Sequence, residues 1–564
     1  MISFRTQFCR GVTLLLLLLV EVANSANAPL RMPHAMVVAQ EGIAAQVGAE
    51  VMKAGGNAID GAIATAFALA VTHPAAGNIG GGGFLLYRPA QGEPVLYDFR
   101  ETAPQASRPD MWLVDGKYDA QRHHNSHLAV GVPGTVAGLY QAWREHGKLP
   151  WSRLLAPAIR LASQGFIVSD ELSSSLRSGL QRMQNYPAAV AQFSNHGKPY
   201  EQGARLVQKD LAVTLELIAR QGSDGFYKGR IAQLLVEEIQ RGGGVLTLQD
   251  LANYRPLART PLRGTYRGYD VLTVPPPSSA VALIEMLNVC EGYDLRDMGF
   301  GTTATLHLMT ETMRRAYADR AHYLGDPAFN PSMPIQRLLS KDYAEYLRTT
   351  INLKAASVSE VGQFEWPPES PQTTHLSIVD EARNAVALTY TLEAAYGSGI
   401  VAPGTGFLLN NEMGDFNAQA GLTNEQGLIG TTPNLAAGGK RMLSSMSPTI
   451  LSKQGQLFMV TGSPGGRTII NTVLQTILNV VDHNMNAQAA VDAGRLHHQW
   501  LPDTVVTEAA AFSKDSLTAL STMGHRLSTR ESIGAAQVIV VNQRDGMLEG
   551  GADKRDPDST VSGY

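Results

Sequence analysis

The chain contains little cysteine and little charge. Two cysteines, Cys9 and Cys290, occur in 564 residues, and charged residues make up 17%. Cys9 lies in a segment that we expect to be removed, so the mature protein has no partner for an intrachain disulfide. The 46 basic and 50 acidic residues nearly cancel, which excludes the strongly basic surface of a nucleic-acid binder. We therefore expect no nucleic-acid partner.

Apolar runs long enough to span a membrane are also absent. Arg5 and Arg10 precede a short apolar run at 12–20, and Ala26-Asn27-Ala28 forms a small-residue cleavage site. This layout is typical of a secretory signal peptide, here predicted at 1–28. The alternative is an uncleaved anchor, but Glu21 ends the run before the roughly 20 residues that a span needs. Scarce cysteine and the absence of an Asn-x-Ser/Thr site favour export to a bacterial periplasm without stable membrane insertion.

Glycine is abundant, with 55 residues, and the sequence pattern changes along the chain. Residues 42–71 are Ala-rich with helical spacing, interrupted at Gly55-Gly56, which predicts two helices and a turn. Residues 353–372 are polar and lack a sustained period, as in a linker. The segments TTHLSIVD and AVALTYTL then alternate on either side of a short turn, and this pattern predicts a β-hairpin.

Thr373 stands at the start of this hairpin. A cut before Thr373 would give one residue both a hydroxyl nucleophile and an α-amine with a pKa of about 7.7–8.0, suited to act as its base. Thr-Thr is also ordinary strand sequence, so the motif alone decides nothing. A three-residue loop would pair Asp380 with Asn384 and place Thr391 opposite Thr373, with Glu393 just beyond.

At this point the sequence resembles the γ-glutamyltransferases (γ-glutamyltranspeptidases), a family of N-terminal nucleophile hydrolases. The resemblance spans nearly all of residues 32–564 and rests on many blocks in the family's order. These blocks are GGNAIDGAIA, GNIGGGGF, DFRETAP, GVPGTVAGL, PPPSS, QTTHLSIVD, LTYTLE, GSGIVAPGTGFLLNNEMGDF, KRMLSSMSPTI, TGSPGG, LHHQWLPD and GGADKRDPDS.

The resemblance implies an α+β fold, a four-layer αββα sandwich. It implies autocleavage between Gln372 and Thr373, which gives a large subunit of residues 29–372 and a small subunit of residues 373–564 within one folded unit. It further implies attack by Thr373 on the γ-glutamyl amide of glutathione or a related compound, and transfer to water, an amino acid or a peptide. No cofactor and no metal are expected.

The resemblance also assigns roles to individual residues. It places the donor α-carboxylate at Arg100, whose guanidinium fork suits a carboxylate, with Ser444 and Ser445 as further donors. It places the donor α-ammonium between Glu412 and Asp415, since an ammonium needs acceptors. It assigns the oxyanion hole to Gly465 and Gly466, and support of the nucleophile to Thr391. The matched residues are Arg100, Gln372, Thr373, Thr391, Glu393, Glu412, Asp415, Ser444, Ser445, Gly465 and Gly466.

Two positions vary within the family. Glu393 stands where many members have Asn, and Gln426 stands where members with a lid loop often have Tyr. The stretch 417–440 is long enough for such a lid. Acceptor preference and the ratio of transfer to hydrolysis therefore remain open from the sequence.

Three further interpretations follow from the residues. We expect Gly80 to Gly83 to form a structural turn, because the run lacks the Lys-Ser/Thr of a phosphate loop. His123, His124 and His127 complete no metal-ligand pattern, so we expect a polar surface loop there. Two other functions stay open: a β-lactam side-chain (glutaryl-type) acylase, whose donor lacks the ammonium that Glu412 and Asp415 would bind, and a non-catalytic exported binding protein.

Overall fold

The structure is a computed structural model that describes residues 27–360, 373–423 and 429–564. The predicted signal sequence up to residue 26, Gln372 and Gln426 lie outside these residues. Among the described helices, none combines the length and the apolar character needed to cross a membrane.

Two antiparallel sheets of seven strands each lie at the centre of the fold. The first has the order β1-β20-β19-β15-β14-β11-β10, and the second has the order β21-β2-β12-β13-β3-β4-β9. Their strands, with those of three smaller sheets, are β1 Leu30–Met32, β2 Met36–Ala39, β3 Gly82–Arg88, β4 Val95–Asp98, β5 Leu113–Val114, β6 Lys117–Tyr118, β7 Phe166–Ile167, β8 Arg205–Leu206, β9 Leu257–Arg259, β10 Leu262–Tyr266, β11 Tyr269–Thr273, β12 Thr374–Val379, β13 Ala385–Thr391, β14 Thr449–Lys453, β15 Gln456–Gly462, β16 Leu496–His497, β17 Val505–Glu508, β18 Leu527–Arg530, β19 Gln537–Val541, β20 Leu548–Ala552 and β21 Thr560–Gly563.

Helices pack on the outer faces of both large sheets, and further helices pack on these. The helices among the described residues are α1 Gly42–Lys53, α2 Ala58–Thr72, α3 Ala120–His124, α4 Thr135–His146, α5 Trp151–Gln164, α6 Asp170–Met183, α7 Pro187–Phe193, α8 Lys209–Gln221, α9 Asp224–Tyr227, α10 Gly229–Arg241, α11 Leu248–Asn253, α12 Ala280–Cys290, α13 Leu295–Met298, α14 Thr303–Tyr323, α15 Ile335–Leu338, α16 Lys341–Thr349, α17 Thr468–Val481, α18 Ala487–Asp492 and α19 Lys514–Thr522.

The two sheets pack face to face. The Ser377 hydroxyl of β12 donates to the Gln537 carbonyl of β19 at 3.1 Å, across the layer between them. Helices α1 and α2 pack on the second sheet, while α17 and α18 pack on the first. Because each sheet is covered on both faces, the central strands β12, β13 and β19 are buried along their whole length. The predicted four-layer αββα sandwich is confirmed.

The predicted pair of N-terminal helices is also confirmed. Helix α2 begins with a capping box, in which Asn57 accepts from the Asp60 backbone at 3.0 Å and Asp60 accepts from the Asn57 backbone. All of its residues are buried, as expected for a helix that is apolar on every face. The turn between the helices places Gly55 at a φ of +99°, a conformation that favours glycine.

Strands from both sides of residue 373 contribute to each large sheet. In the second sheet, β12 lies between β2 and β13, so the start of the predicted small subunit pairs with a strand of the predicted large subunit. The chain before and after residue 373 therefore shares one core. This arrangement also places the beginning of β12 in the middle of a sheet.

Candidate active site

The hairpin β12–β13 has the register predicted from the sequence. Thr374 lies opposite Tyr390 and Val379 opposite Ala385, and the Asp380 amide donates to the Asn384 carbonyl at 3.0 Å. Thr373, which directly precedes β12, therefore faces Thr391. The Thr373 hydroxyl donates to the Thr391 hydroxyl at 3.4 Å. The register prediction is confirmed, and it places two hydroxyls together at a strand end.

A strained turn follows β13. Glu393 has a φ of +77°, an uncommon conformation for a residue other than glycine, and its backbone amide donates to the Thr391 hydroxyl at 2.9 Å. The Asn411 amide group donates to the Glu393 carboxylate, and the Asn411 side-chain oxygen accepts from the Ala394 amide at 3.0 Å. Asn411 thus holds the turn after the hairpin against the loop that carries Glu412 and Asp415.

Arg100 lies at the centre of a buried charge cluster. It follows β4, and its guanidinium donates to Glu412 at 2.5 Å through Nη1 and to Asp415 through Nη2. The Tyr254 hydroxyl donates to the Arg100 carbonyl at 2.9 Å and so fixes the backbone behind the guanidinium. Arg100 and Glu412 are both 0% exposed. Arg100 was predicted to bind the donor carboxylate, and Glu412 and Asp415 were predicted to bind its ammonium. The structure brings these three residues together, and both acids pair with Arg100.

Glu101 is a neighbour of this cluster that the sequence analysis did not single out. Its Oε2 lies 3.6 Å from Arg100 Nη1, and neither of its oxygens has a hydrogen-bond partner among the described residues. Burial raises the pKa of Glu101 to about 8, and burial also raises the pKa of Glu412 well above its usual value. One guanidinium thus faces three carboxyl groups, so part of the cluster is neutral at pH 7.

Ser444 and Ser445 form another wall of the site. Ser444 is held by its backbone, because its carbonyl accepts from the Ser279 amide and from the Ser279 hydroxyl, each at 2.7 Å. The Ser445 hydroxyl accepts from Arg320 at 3.1 Å. Arg320 belongs to α14 and was not anticipated from the sequence. The serine pair is therefore fixed from behind by elements that precede residue 373.

Gly465 and Gly466 connect β15 to α17. Both have positive φ, +136° and +55°, and a Cβ on Gly465 would lie 2.4 Å from Thr468 Oγ1. The amides of Thr468 and Ile469, in the first turn of α17, donate to the carbonyls of Gly465 and Gly466 at 3.1 Å. The loop therefore needs glycine, and it stands at a helix N-terminus, where the helix dipole favours negative charge.

The predicted site residues meet in one small cavity of about 20 Å³. Two predicted residues do not line the cavity themselves. Glu412 is bonded to Arg100, which lines it, and Gly465 directly precedes Gly466, which also lines it. Two apolar side chains, Met446 and Ile469, complete the lining. The predicted residues that line the cavity are Arg100, Thr373, Thr391, Glu393, Asp415, Ser444, Ser445 and Gly466.

The prediction of a polar surface loop at the three histidines is wrong for His123. This side chain is 0% exposed, its ring lies 3.8 Å from that of Trp112, and its Nε2 is 2.9 Å from the Met413 carbonyl. A Cβ on Gly414 would also lie 2.4 Å from His124 Nδ1. His123 and His124 therefore support the turn between Glu412 and Asp415 from behind, whereas His127 pairs with Glu238 at 3.0 Å.

A separate cluster contains groups that commonly bind metals. His307, Glu311 and His525 are buried and offer ligand atoms within 4.8 Å of one another. The Glu311 carboxylate already accepts from Arg315 at 2.7 Å and from the Ser357 amide at 3.0 Å, and these donors hold its pKa at about 2. His307 Nδ1 lies 2.7 Å from His525 Nε2. The Glu311 carboxylate and the two facing histidine nitrogens are thus already paired within the protein.

The glycine run before β3 has the structural role expected of it. A Cβ on Gly80 would lie 2.2 Å from the Leu408 carbonyl oxygen, and one on Gly81 would lie 2.0 Å from the Thr391 carbonyl oxygen. The run therefore allows the backbone of the hairpin and of the following loop to approach closely. It supports the position of Thr391 in the site.

Comparison with known proteins decides the family. The model of the Gamma-glutamyltranspeptidase family matches residues 44–563. The chain belongs to this family. A glutathione hydrolase proenzyme of Escherichia coli (strain K12) is 46% identical over 541 residues, which cover 95% of this chain and 93% of that protein. The family assignment from the sequence blocks is therefore confirmed.

This member of the gamma-glutamyltranspeptidase family is also similar to acylases. An acylase ACY 1 proenzyme of Pseudomonas sp. (strain SE83) is 37% identical over 525 residues, covering 92% of this chain and 91% of that protein. The crystal structure of a cephalosporin acylase from Bacillus halodurans superposes with a TM-score of 0.85 at 28% identity, covering 96% of this chain and 98% of that one. The acylase structure thus has the same architecture as this chain.

Proposed function

We propose that this protein is an autoprocessed γ-glutamyltransferase and glutathione hydrolase with Thr373 as its nucleophile. The observation that carries the proposal is the placement of Arg100 and two acidic residues, Glu412 and Asp415, beside the Thr373–Thr391 pair. An α-amino acid end carries a carboxylate and an ammonium, and these three side chains complement both charges. Kinship with glutathione hydrolase proenzymes supports the same substrate class.

Processing creates the nucleophile in this proposal. The Thr373 hydroxyl attacks the Gln372 carbonyl carbon, the peptide C–N bond breaks, and its nitrogen takes the hydroxyl proton. Water then hydrolyses the resulting ester and frees the α-amine of Thr373. The proposed subunits are residues 29–372 and 373–564, after removal of a signal peptide at 1–28. The proposed location is the periplasm, with secretion from the cell as the alternative.

Catalysis then repeats the chemistry on the donor. The α-amine of Thr373 accepts the hydroxyl proton while the oxygen attacks the γ-carbonyl carbon. The backbone amides of Gly465 and Gly466 stabilise the oxyanion through their N–H groups. The departing amine takes the proton and leaves a γ-glutamyl ester on Thr373. Water resolves the ester by hydrolysis, and an amino acid or peptide resolves it by transfer.

Separation of the purified protein by size and N-terminal sequencing test the processing step. We expect two chains, of which the smaller begins at Thr373. Thr373→Ala should give one uncut chain without activity, whereas Thr373→Ser should still be cut because it keeps a hydroxyl. Normal cleavage of Thr373→Ala would contradict the assignment of the nucleophile.

A glutaryl-type acylase is the second candidate, favoured by the similarity to acylases. The two candidates differ in whether the donor carries an α-ammonium. We expect release of p-nitroaniline from γ-glutamyl-p-nitroanilide at least tenfold faster than from glutaryl-p-nitroanilide. Faster cleavage of the glutaryl compound would favour the acylase. In a γ-glutamyltransferase, Glu412→Gln should narrow the preference for the γ-glutamyl compound, because it removes a carboxylate that binds the ammonium.

A further inference from the structure

The two backbone N–H groups assigned to the oxyanion sit on the most flexible kind of residue. The amides of Gly465 and Gly466 donate to no residue that the structure describes, so both are available for a ligand. Donors of an oxyanion hole act by being fixed in direction before the charge forms. Glycine does not provide this restraint, because it restricts its own backbone least. Neighbouring groups therefore have to hold the two peptide planes.

Ser463 holds the first plane, between Pro464 and Gly465. Its hydroxyl donates to the Pro464 carbonyl at 2.6 Å. In a planar trans peptide the C=O and the N–H point in opposite directions, so this bond fixes the direction of the Gly465 N–H as well. The Ser463 hydroxyl is held in turn, because it is buried and accepts from the Ala535 amide at 3.1 Å.

Thr468 holds the second plane, between Gly465 and Gly466. Its hydroxyl donates to the Gly465 carbonyl at 2.8 Å, and its backbone amide donates to the same oxygen at 3.1 Å. By the same geometry, these two bonds direct the Gly466 N–H to the opposite side of the peptide. Thr468 is the first residue of α17 and is buried, so its hydroxyl stands at a fixed position.

The two sides of this loop face different cavities. Pro464 and Thr468 line a cavity of about 190 Å³, whereas Gly466 lines the small cavity that contains Thr373. The Gly465 carbonyl is therefore held on the side away from the nucleophile, which leaves the Gly466 N–H on the side of Thr373.

The end of the loop is anchored independently of these hydroxyls. The Tyr317 hydroxyl of α14 donates to the Arg467 carbonyl, directly after the two glycines. Loss of the Ser463 or the Thr468 hydroxyl should therefore let one peptide plane rotate without displacing the whole loop.

We propose that Ser463 and Thr468 are positioning residues, whose hydroxyls direct the N–H groups of Gly465 and Gly466 at the oxyanion. The inference rests on the proposed function and adds two residues to it. Each hydroxyl acts through a carbonyl at the far end of a peptide bond. Because the substrate oxygen becomes charged only in the tetrahedral intermediate, the two residues stabilise the transition state and contribute little to donor binding.

Kinetics of Thr468→Val with γ-glutamyl-p-nitroanilide test this inference. Valine keeps the shape of the side chain and removes the hydroxyl. We expect kcat per cut molecule to fall at least tenfold, with less than a twofold change in the donor KM, because formation and hydrolysis of the ester both pass through an oxyanion. Thr468→Ser restores the hydroxyl and should restore most of kcat. Ser463→Ala should lower kcat as Thr468→Val does, and it decides the matter if Thr468→Val does not fold.

Thr476→Val is the matched control. Thr476 lies two turns further along α17, is also buried, and its hydroxyl donates to the Thr472 carbonyl at 2.8 Å. The control loses the same type of hydrogen bond from the same helix, away from the glycine loop. We expect its kcat to stay within twofold of the wild-type value. An equal fall of kcat in Thr476→Val and Thr468→Val would assign the defect to the packing of α17 and overturn the inference.

A boronate separates transition-state stabilisation from substrate binding. In 2-amino-4-boronobutanoic acid a boronic acid replaces the γ-carboxyl group of glutamate. Its boron forms a bond to the Thr373 oxygen and becomes tetrahedral, so that one boron-bound oxygen takes the place of the oxyanion, whereas glutamate binds without this bond. We expect Thr468→Val to bind the boronate at least tenfold more weakly than the wild type, and glutamate with less than a twofold change.

Two results of the binding experiment would contradict the inference. One is an unchanged affinity for the boronate in Thr468→Val, and the other is an equal loss of affinity for the boronate and for glutamate. A wild-type protein that releases no p-nitroaniline would instead contradict the proposed function itself.

Discussion

Arg100 and Glu412 form an ion pair in which neither side chain is exposed and the Nη1–Oε2 distance is 2.5 Å. Asp415 binds the other terminal nitrogen of the same guanidinium. A zwitterionic donor can exchange into this arrangement, because its carboxylate can replace the acids at Arg100 and its ammonium can replace Arg100 at the acids. The charges of the site are therefore compensated before the donor arrives.

Two replacements of Arg100 distinguish the effect of its charge from the effect of its forked guanidinium geometry. Arg100→Lys keeps the charge but not the two-pronged fork, so we expect the donor KM to rise roughly tenfold, the effect of about 1.4 kcal/mol. Arg100→Ala leaves buried acids without their cation, and removal of one partner from a buried pair costs about 3–5 kcal/mol. We therefore expect calorimetry to show a lower Tm for Arg100→Ala, and a Tm close to that of the wild type for Arg100→Lys. Equal Tm values for the two variants would contradict this account.

Glu101 should make donor binding sensitive to pH. Because burial raises its pKa to about 8, the side chain is neutral at pH 7 and becomes anionic as the pH rises through 8. The new charge lies 3.6 Å from Arg100 Nη1, beside Asp98, Glu412 and Asp415, and should weaken the hold of Arg100 on a carboxylate. We expect the donor KM to rise from pH 7 to 9.

The variant Glu101→Gln isolates this effect, because glutamine stays neutral over the whole range. Titration of the donor ammonium affects both proteins alike, so the difference between their pH profiles reports Glu101. We expect a flatter KM profile for Glu101→Gln. Superimposable profiles would assign the pH dependence to another group.

The hairpin of the site could be predicted from the sequence because its determinants are local. A period of two and a short turn after Asp380 fix the register, and the register alone brings Thr391 to Thr373. The family resemblance added residues that no local pattern connects, such as Arg100 and Asp415. Their convergence depends on the packing of loops more than 300 residues apart in the chain.

The role of Glu101 and the burial of His123 could not be predicted in this way. An Arg-Glu pair and a group of histidines are ordinary surface sequences, and only tertiary packing distinguishes a buried case. His123 is covered by Trp112 and bound to the Met413 carbonyl, 290 residues away. The contact of Arg320 with Ser445 could not be predicted for the same reason, because tertiary packing alone brings helix α14 and its Arg320 to the serine.

Thr391 should assist Thr373 in both cleavage and catalysis. Thr391→Val keeps the shape of the side chain but removes the hydroxyl that accepts from Thr373 and from the Glu393 amide. Since a neutral hydrogen bond contributes about 1 kcal/mol, we expect self-cleavage and kcat each to fall roughly fivefold. Thr391→Ser keeps the hydroxyl and should retain most of both rates. A time course of cleavage and steady-state kinetics measure the two effects, and a loss equal in both variants would point to packing instead.

Gly465 should be required for the oxyanion and not only for the turn. In Gly465→Ala the new Cβ would lie 2.4 Å from Thr468 Oγ1, so the loop must shift and its N–H groups must move away from the position of the oxyanion. Loss of one such donor lowers kcat by roughly 10²–10³-fold, and we expect a fall of that size with little change in the donor KM.

Gly455→Ala is the matched control for Gly465→Ala. Gly455 also has a positive φ, +77°, but a Cβ there meets no atom within 4 Å, and the residue lies in the turn between β14 and β15. Both variants carry the cost of an unfavourable backbone conformation, so both should lower Tm. Only Gly465→Ala should lower kcat, because only its loop borders Thr373. A comparable fall of kcat in Gly455→Ala would mean that backbone strain, rather than loss of the oxyanion donors, explains the defect.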